Sequence, residues 1–282
     1  MAPSATSAVT FRSITVRRGR ELALDGVTFD VPAGSVFALL VPEGFGRSSL
    51  LQCPLGRVRP DAGTCFVFGE AAWPSRRAAR RRIGAVLPTA EARPDPSAVL
   101  SRLFGHLLPR RDAASSSGPL ARLRGARTSR ADLLVLDDAA LASDPAARRA
   151  TLEPLLREAA GRGATVLIAT DDLPLVERIA THVGILRRGR LVLVGPLGTV
   201  KARFRRIRYS NERTEERTEF GTELDAFDAV RVKVRGWGID AVVSNFNEEA
   251  FARFRAIEGV VDAEAEDLSL EEIFEAVSGV GR

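Results

Sequence analysis

The sequence of residues 36–51, VFALLVPEGFGRSSLL, decides how the rest of the chain is interpreted. It begins with a continuous apolar run at 36–41, which is typical of a parallel strand buried on both faces. A turn containing Gly44 and Gly46 follows, and residues 47–51 can begin a helix. The segment therefore predicts a buried strand, a glycine-containing turn and a helix in direct succession.

That succession is the layout of a phosphate-binding loop, whose usual pattern is G-x-x-x-x-G-K-S/T. In such a loop, backbone N–H groups and the helix N-terminus surround phosphate oxygens, a lysine reaches the outer phosphates and a hydroxyl holds Mg²⁺. Gly46 and Ser48 match the pattern, whereas Val41 stands at the first glycine and Arg47 at the lysine. The planar guanidinium can pair with phosphate but does not replace a compact ammonium. From this segment alone, a plain strand–turn–helix remains an equal alternative.

The surrounding sequence predicts an α/β fold in two parts. Short strands in residues 8–39 form an N-terminal β region, and a short apolar run follows at 83–87. Buried strands at 133–136 and 165–169 alternate with helical patterns, which favours a mostly parallel sheet. A polar linker is expected at 209–224. A small α+β appendage follows, with strands at 230–234 and 260–265, a helix at 246–257, and a helix at 269–277 that begins with a capping box.

Composition excludes several classes of protein. The apolar fraction of 45% and charged fraction of 27% are those of a folded globular chain. Apolar runs fall far short of the roughly 20 residues of a membrane helix, and no signal-peptide pattern is present, so we expect neither a span nor secretion. Two cysteines and two histidines make a zinc site or a Ser-His-Asp triad improbable.

The net charge of +5 and the arginine cluster at 76–82 allow a second interpretation. A basic cluster can bind nucleic acid. No aromatic residues interleave with these arginines to stack on bases, so a solvated helix face is the preferred interpretation. Nucleic-acid binding stays a third-ranked alternative.

Several motifs in the right order resemble the ATP-binding subunit of an ABC transporter, over most of residues 9–200. The matching segments are LDGVTF (24–29), LLVLDD (133–138), SDP (143–145), TVLIATDDL (165–173) and RGRLV (188–192). The tail LSLEEIF (268–274) is similar to the ending of ABC-2-type exporter ATPases. The resemblance implies a P-loop NTPase fold of ABC type, with a nucleotide-binding domain at 1–200 and an accessory domain at 201–282.

The resemblance also implies roles for individual residues. Asp137, at the Walker B position, and Ser48 would hold Mg²⁺, and Asp138 stands where the family has its catalytic glutamate. Asp171 stands at the switch histidine and is the second candidate catalytic residue. The candidate nucleotide-binding residues are Arg18, Val41, Pro42, Glu43, Gly44, Phe45, Gly46, Arg47, Ser48 and Ser49. The best candidate signature residues are Ser116, Ser117 and Gly118.

The same positions depart from the family pattern. Arg18 replaces the aromatic residue that stacks on adenine, and Pro88 replaces the glutamine of the Q-loop. Asp138 is one methylene shorter than glutamate, and Asp171 puts an anion where the family contacts phosphate. Pro119 replaces a signature glycine, and the helical subdomain at about 89–130 is short. These departures predict weak or absent ATP hydrolysis.

Two functions therefore share this fold. The first is the ATP-binding subunit of an ABC-2-type exporter, with ATP and Mg²⁺ as ligands and a membrane permease as partner. The second is a non-hydrolysing partner or regulatory subunit. The resemblance implies a homodimer or heterodimer of nucleotide-binding domains, placed on the cytoplasmic face of the cell membrane, and leaves enzymatic turnover open because fold alone does not establish chemistry.

Overall fold

The computed structural model describes residues 6–41, 46–74, 82–87, 131–138, 145–211 and 222–279. Several predictions lie outside these ranges: Pro42, Glu43, Gly44, Phe45, Pro88, Ser116, Ser117, Gly118, the SDP motif up to Asp144 and the shortened helical subdomain at 89–130. The chain divides into two compact units, Met1–Val194 and Gly195–Arg282. No helix in the described ranges is both long and apolar enough to cross a membrane.

An antiparallel sheet forms the beginning of the first unit. Its strands are β1 (Ser7–Arg18), β2 (Glu21–Pro32), β4 (Ala62–Val67) and β5 (Glu70–Ala71), in the order β2-β1-β4-β5. In the register of β1 and β2, Phe11 lies opposite Phe29, and both rings are buried. The predicted N-terminal β region is confirmed.

A six-stranded sheet contains the buried strand that precedes the glycine-containing turn. Its strands are β3 (Val36–Leu40), β6 (Ile83–Val86), β7 (Leu133–Asp137), β8 (Thr165–Thr170), β9 (His182–Arg187) and β10 (Arg190–Pro196). The order is β10-β9-β3-β8-β7-β6. The neighbours β9 and β3, β3 and β8, β8 and β7, and β7 and β6 are parallel pairs. Every residue of β3, β7 and β8 is buried, which confirms the predicted mostly parallel sheet.

Three helices accompany this sheet: α1 (Arg47–Gln52), α2 (Pro145–Gly161) and α3 (Leu173–Ile179). The helices expected near 47–51, 145–160 and 175–180 are therefore present, and the helical pattern at 98–108 lies outside the described residues. Helix α1 has six residues, however, so only a small helix dipole can act at its N-terminus.

A stack of aromatic rings joins the two sheets. The ring centroids of Phe11 and Phe29 are 4.5 Å apart, and those of Phe29 and Phe37 are 5.2 Å apart. Phe37 belongs to β3, so the stack holds the antiparallel sheet against the parallel one. Burial of such rings contributes strongly to the stability of this core.

The carbonyl of Ala23 in β2 has two glycines packed against it. A Cβ atom on Gly46 would lie 2.2 Å from this oxygen, and one on Gly189 would lie 2.7 Å from it. Both glycines have a positive φ, 81° and 77°, which side-chain-bearing residues rarely adopt. The N–H of Asp25 also donates to the carbonyl of Gly189 at 2.9 Å. These contacts fix β2 against the start of α1 and the turn between β9 and β10.

The second unit contains a four-stranded sheet and short helices. The strands are β11 (Arg205–Asn211), β12 (Ala229–Arg235), β13 (Gly238–Val243) and β14 (Val260–Asp267), in the antiparallel order β12-β13-β11-β14. The helices are α4 (Leu197–Arg203), a 3-10 helix (Thr222–Phe227), α5 (Glu248–Arg255) and α6 (Leu270–Ser278). The predicted capping box of Ser269 and Glu272 is confirmed.

The expected linker at 209–224 is wrong at both ends. Tyr209 lies in β11 and is 1% exposed, with its ring 5.0 Å from that of Phe254 in an edge-to-face contact. Leu224 lies in the 3-10 helix and is also buried. The buried side chains of Ile207 and Tyr209 alternate with the partly exposed Arg206 and Arg208, so β11 is a half-buried strand whose last three residues, 209–211, fall within the expected linker.

The aromatic stack predicts a large effect of truncation. Phe29→Ala should lower the free energy of unfolding by roughly 3–5 kcal/mol, because it leaves a cavity between Phe11 and Phe37. Chemical denaturation followed by circular dichroism measures this change. Leu22→Ala in the same strand is the control, since Leu22 is 41% exposed and should change stability little. Equal effects of the two variants would contradict the packing described.

Candidate functional site

The site begins where β3 ends and α1 starts. Val41 is buried at the end of β3, and Gly46 precedes α1 in a left-handed conformation. The carbonyl of Gly46 accepts the N–H of Leu50 at 2.9 Å, which closes the first helical turn. Gly46 is thus required by its approach to Ala23 and by its φ angle. The sequence pattern predicted a glycine here for phosphate binding, which stays a prediction, and the fold requires this glycine for packing.

Arg47 points from the first turn of α1 onto two acidic residues. Its Nη2 lies 2.8 Å from Oδ1 of Asp137, contacts Oδ1 of Asp138, and donates to the carbonyl of Ala169 at 2.7 Å. The carboxylates are almost completely buried, with exposed side-chain fractions of 3% and 0%. The parallel order of β3, β8 and β7 brings these residues to one edge of the sheet, because parallel strands end on the same side.

Thr170 supports this cluster and was not singled out by the sequence analysis. Its Oγ1 donates to Oδ2 of Asp138 at 2.6 Å and accepts the N–H of Asp172 at 3.0 Å. Asp138 is therefore held from both sides, by a guanidinium and by a hydroxyl. The sequence pattern that could have identified Thr170 is a hydroxyl-bearing residue at the end of the apolar run of β8.

Asp171 and Asp172 have opposite surroundings. Asp172 is buried, caps α3 by accepting the N–H of Leu175 at 3.0 Å, and pairs with Arg149 of α2. Asp171, the candidate switch residue, is exposed on the adjoining turn. The acidic pair after β8 thus divides between a structural cap and a side chain that faces solvent.

The two serines at the start of α1 also differ. Ser48, the candidate metal ligand, is exposed, whereas Ser49 is 1% exposed. The Oγ of Ser49 accepts a hydrogen bond from Nε of Arg18 at 3.0 Å. Arg18 therefore lies at the end of β1 next to α1, and its part in binding a nucleotide base stays a prediction.

The charges of Arg47, Asp137 and Asp138 determine which ligands this site can bind. Arg47 provides one positive charge for the two buried carboxylates, and Thr170 provides a further hydrogen bond. The Nε of Arg47 is buried without a hydrogen-bond partner among the described residues. A buried donor without a partner costs about 1–3 kcal/mol, so an acceptor brought to this atom would bind favourably.

A magnesium ion fits the donor types but competes with Arg47. A hydroxyl and a carboxylate are ligands that Mg²⁺ accepts, and Ser48 and Asp137 supply them. The carboxylate of Asp137 is already neutralised by the guanidinium at 2.8 Å. In the described ranges, no group of three or more His, Cys, Asp or Glu side chains could hold a metal. An ion at Asp137 therefore requires Arg47 to move away.

Other sequence features lie outside the cluster or have structural roles. Of the arginines at 76–82, Arg82 is described: its guanidinium lies 4.0 Å from the Phe68 ring centroid and pairs with Asp132. Cys53 and Cys65 are free and buried, and burial raises the pKa of Cys53 to about 12. A thiol with so high a pKa stays protonated and unreactive.

The position of Gly46 leads to a test with a matched control. Gly46→Ala should destabilise the protein by at least about 2 kcal/mol more than Gly69→Ala, because its Cβ would overlap the Ala23 carbonyl. Gly69 has the same φ of 81° but open space around it, so its variant reports the cost of the backbone conformation alone. Denaturant unfolding measures both, and similar losses would contradict the close approach.

Known proteins share this fold and part of this sequence. No protein-family model matches the chain. A bacterial Atm1-family ABC exporter with ATP bound superposes with a TM-score of 0.51 at 21% identity, covering 72% of this chain and 41% of that one. An ATP-binding subunit of an ABC transporter superposes with a TM-score of 0.50 at 19% identity, covering 70% and 92%. These structures confirm the ABC-type fold of a P-loop NTPase.

Sequence relatives decide the family. The Nod factor export ATP-binding protein I of Burkholderia orbicola (strain AU 1054) is 32% identical over 214 residues, which make up 66% of this chain and 70% of the relative. The protein of the same name from Mesorhizobium japonicum (strain LMG 29417 / CECT 9101 / MAFF 303099) is 30% identical over 219 residues, or 68% and 64% of the two chains. The chain belongs to the family of ATP-binding proteins of ABC transporters.

Proposed function

We propose that this protein is the ATP-binding subunit of an ABC-2-type exporter and that it binds ATP but hydrolyses it weakly or not at all. The observation that carries the proposal is the position of Arg47, between the phosphate-binding segment and the acidic pair Asp137 and Asp138. This arrangement brings the lysine-equivalent residue and the Walker B carboxylate of the family together. These two residues, Arg47 and Asp137, form a buried ion pair with each other.

Binding of ATP is supported by donors at the start of α1. The unpartnered Nε of Arg47 can donate to a phosphate oxygen, and charge-assisted bonds of this kind are strong. The hydroxyl of Ser48 is exposed at the same turn. Arg18 lies close by through its bond to Ser49, so its guanidinium can stack on a nucleotide base. Ser48 and Asp137 would hold Mg²⁺, which neutralises phosphate charge when bound.

Weak hydrolysis is supported by the state of Asp138. A general base must accept a proton from the attacking water and must lie within hydrogen-bond reach of it. Asp138 is completely buried, and its carboxylate oxygens are engaged by Arg47 and Thr170. A carboxylate stabilised in this way is a poor proton acceptor. The same observation favours the second candidate function, a non-hydrolysing partner or regulatory subunit.

The exporter subgroup and the partners follow from the sequence. The tail LSLEEIF is similar to the ending of ABC-2-type exporter ATPases, and relatives carry export in their names. We therefore propose coupling to a separate membrane permease, a dimer of nucleotide-binding domains, and a peripheral position on the inner face of the membrane. Residues 1–200 would bind nucleotide and residues 201–282 would be accessory.

Titration calorimetry tests the binding of nucleotide. The purified chain should bind ATP in the micromolar range, and Mg²⁺ should strengthen binding because ATP gives Arg47 phosphate partners and frees Asp137. Ser48→Ala should lower the affinity for ATP roughly tenfold when Mg²⁺ is present, and should change it little when EDTA removes the metal. Thr64→Ala, an exposed hydroxyl on β4, is the control and should bind as the original chain does. No binding up to millimolar ATP would contradict the proposal.

Phosphate release tests the absence of turnover. Steady-state hydrolysis should stay well below the roughly one per second of ordinary enzymes, and Asp138→Asn should not lower it further. Asp132→Asn is the control, because Asp132 is a half-exposed acid just before β7. A rate near one per second that Asp138→Asn abolishes would show that Asp138 is a working base, and the proposal of weak turnover would then be wrong.

A further inference from the structure

One face of the sheet in the second unit carries a straight row of alternating charges. Lys233 of β12 lies opposite Asp240 of β13, Asp240 lies opposite Arg208 of β11, and Arg208 lies opposite Glu264 of β14. Opposite charges that face each other across strands stabilise a sheet. The row crosses all four strands, begins with a cation at one edge and ends with an anion at the other.

The charges at the two ends of the row have no partners inside the described chain. The interior members are neutralised, since Arg208 pairs with Glu266 at 2.6 Å and Asp240 pairs with Arg206 at 3.5 Å. Neither Lys233 nor Glu264 forms an ion pair with a described residue, and both are exposed. The neighbouring edge residues Arg231, which is partly buried, and Asp262, which is exposed, also form no ion pair with a described residue. Each edge therefore carries unneutralised charge, positive on β12 and negative on β14.

The opposite face of the sheet carries a matching apolar row. Val232, Ala241, Ile207 and Ala265 lie in register across the four strands. Ala241 and Ile207 are fully buried, but on the edge strand β12 the valines are left uncovered, with Val232 at 40% and Val234 at 50% exposed. An edge strand with exposed apolar side chains is a site for pairing with another strand.

We propose that β12 of one copy of this chain pairs with β14 of a second copy, so that the sheet continues from one molecule into the next. In the order β12-β13-β11-β14 neighbours are antiparallel, and a β14 strand added beside β12 preserves that pattern. Lys233 then faces the partner's Glu264, and Val232 lies beside the partner's Ala265. The alternation of charges on one face and the row of apolar side chains on the other therefore both continue into the second copy.

Charge selects this head-to-tail arrangement over a symmetric one. Pairing β12 with a second β12 would place the cations Arg231, Lys233 and Arg235 opposite the same cations of the other copy. Pairing β14 with a second β14 would place the anions Asp262 and Glu264 opposite each other. Like charges directly opposite destabilise a sheet. A head-to-tail contact leaves one free edge at each end, so association extends beyond dimers as the concentration rises.

Sedimentation velocity on the full chain without nucleotide tests the contact. The mean mass should rise over about a hundredfold range of concentration at low salt and fall when salt screens the edge charges. Lys233→Glu and Glu264→Lys should each weaken association by roughly tenfold, since one attractive pair becomes repulsive. The controls Arg255→Glu and Glu249→Lys make the same changes in net charge on exposed positions of α5 and should leave association unchanged.

Mixing the two edge variants separates the contact from a loss of folding. The reversed β12 of the Lys233→Glu variant matches the reversed β14 of the Glu264→Lys variant, so an equal mixture should associate as the original chain does. A misfolded variant would not be rescued in this way. A monomer at every concentration, association that neither variant weakens, or a mixture no better than its components would each overturn the proposal. Because nucleotide is absent, these results are independent of ATP binding.

Discussion

Two adjacent buried carboxylates, Asp137 and Asp138, impose the main constraint on the first unit. Removing a charge from water costs several kcal/mol unless a partner compensates for it, so these residues require a cation at the end of β7. Arg47 provides it from α1, and Thr170 adds a hydrogen bond from β8. The pairing therefore ties the helix after the glycine turn to the central strands of the parallel sheet.

In the proposed function, the same pairing separates nucleotide binding from hydrolysis. Binding needs donors for phosphate, and the guanidinium of Arg47 retains one at its unpartnered Nε. Hydrolysis needs a carboxylate that can take a proton from water, and Asp138 is held by two donors away from solvent. In the proposed function, ATP would draw the guanidinium of Arg47 towards phosphate, and the two buried carboxylates would then lose part of their neutralisation. Stability and turnover are thus opposed at this site.

The second unit shows the same electrostatic rule at a surface. Within its sheet, each charged side chain of the row faces an opposite charge on the next strand, and the interior members form ion pairs. The alternation cannot be completed at an edge, where the next strand is missing. Lys233 and Glu264 are the two end members of the row, and each has no strand beside it on its outer side. A second copy of the chain supplies the complement of each, which makes the edges of this sheet selective for one orientation.

The alternation of strands and helices could be predicted from the sequence, because buried parallel strands leave uninterrupted apolar runs such as residues 133–136. The capping box could be predicted from the spacing of its two residues. The sequence also identified Gly46, Arg47, Asp137 and Asp138 as a group. It missed β11, whose last three residues it assigned to a polar linker, and it missed Thr170. The ion pairs of Arg47 with both aspartates and the packing of Gly46 against the carbonyl of Ala23 are visible only in the folded chain. These contacts join residues far apart in the chain, and their distances depend on how the sheets pack, which no local pattern encodes.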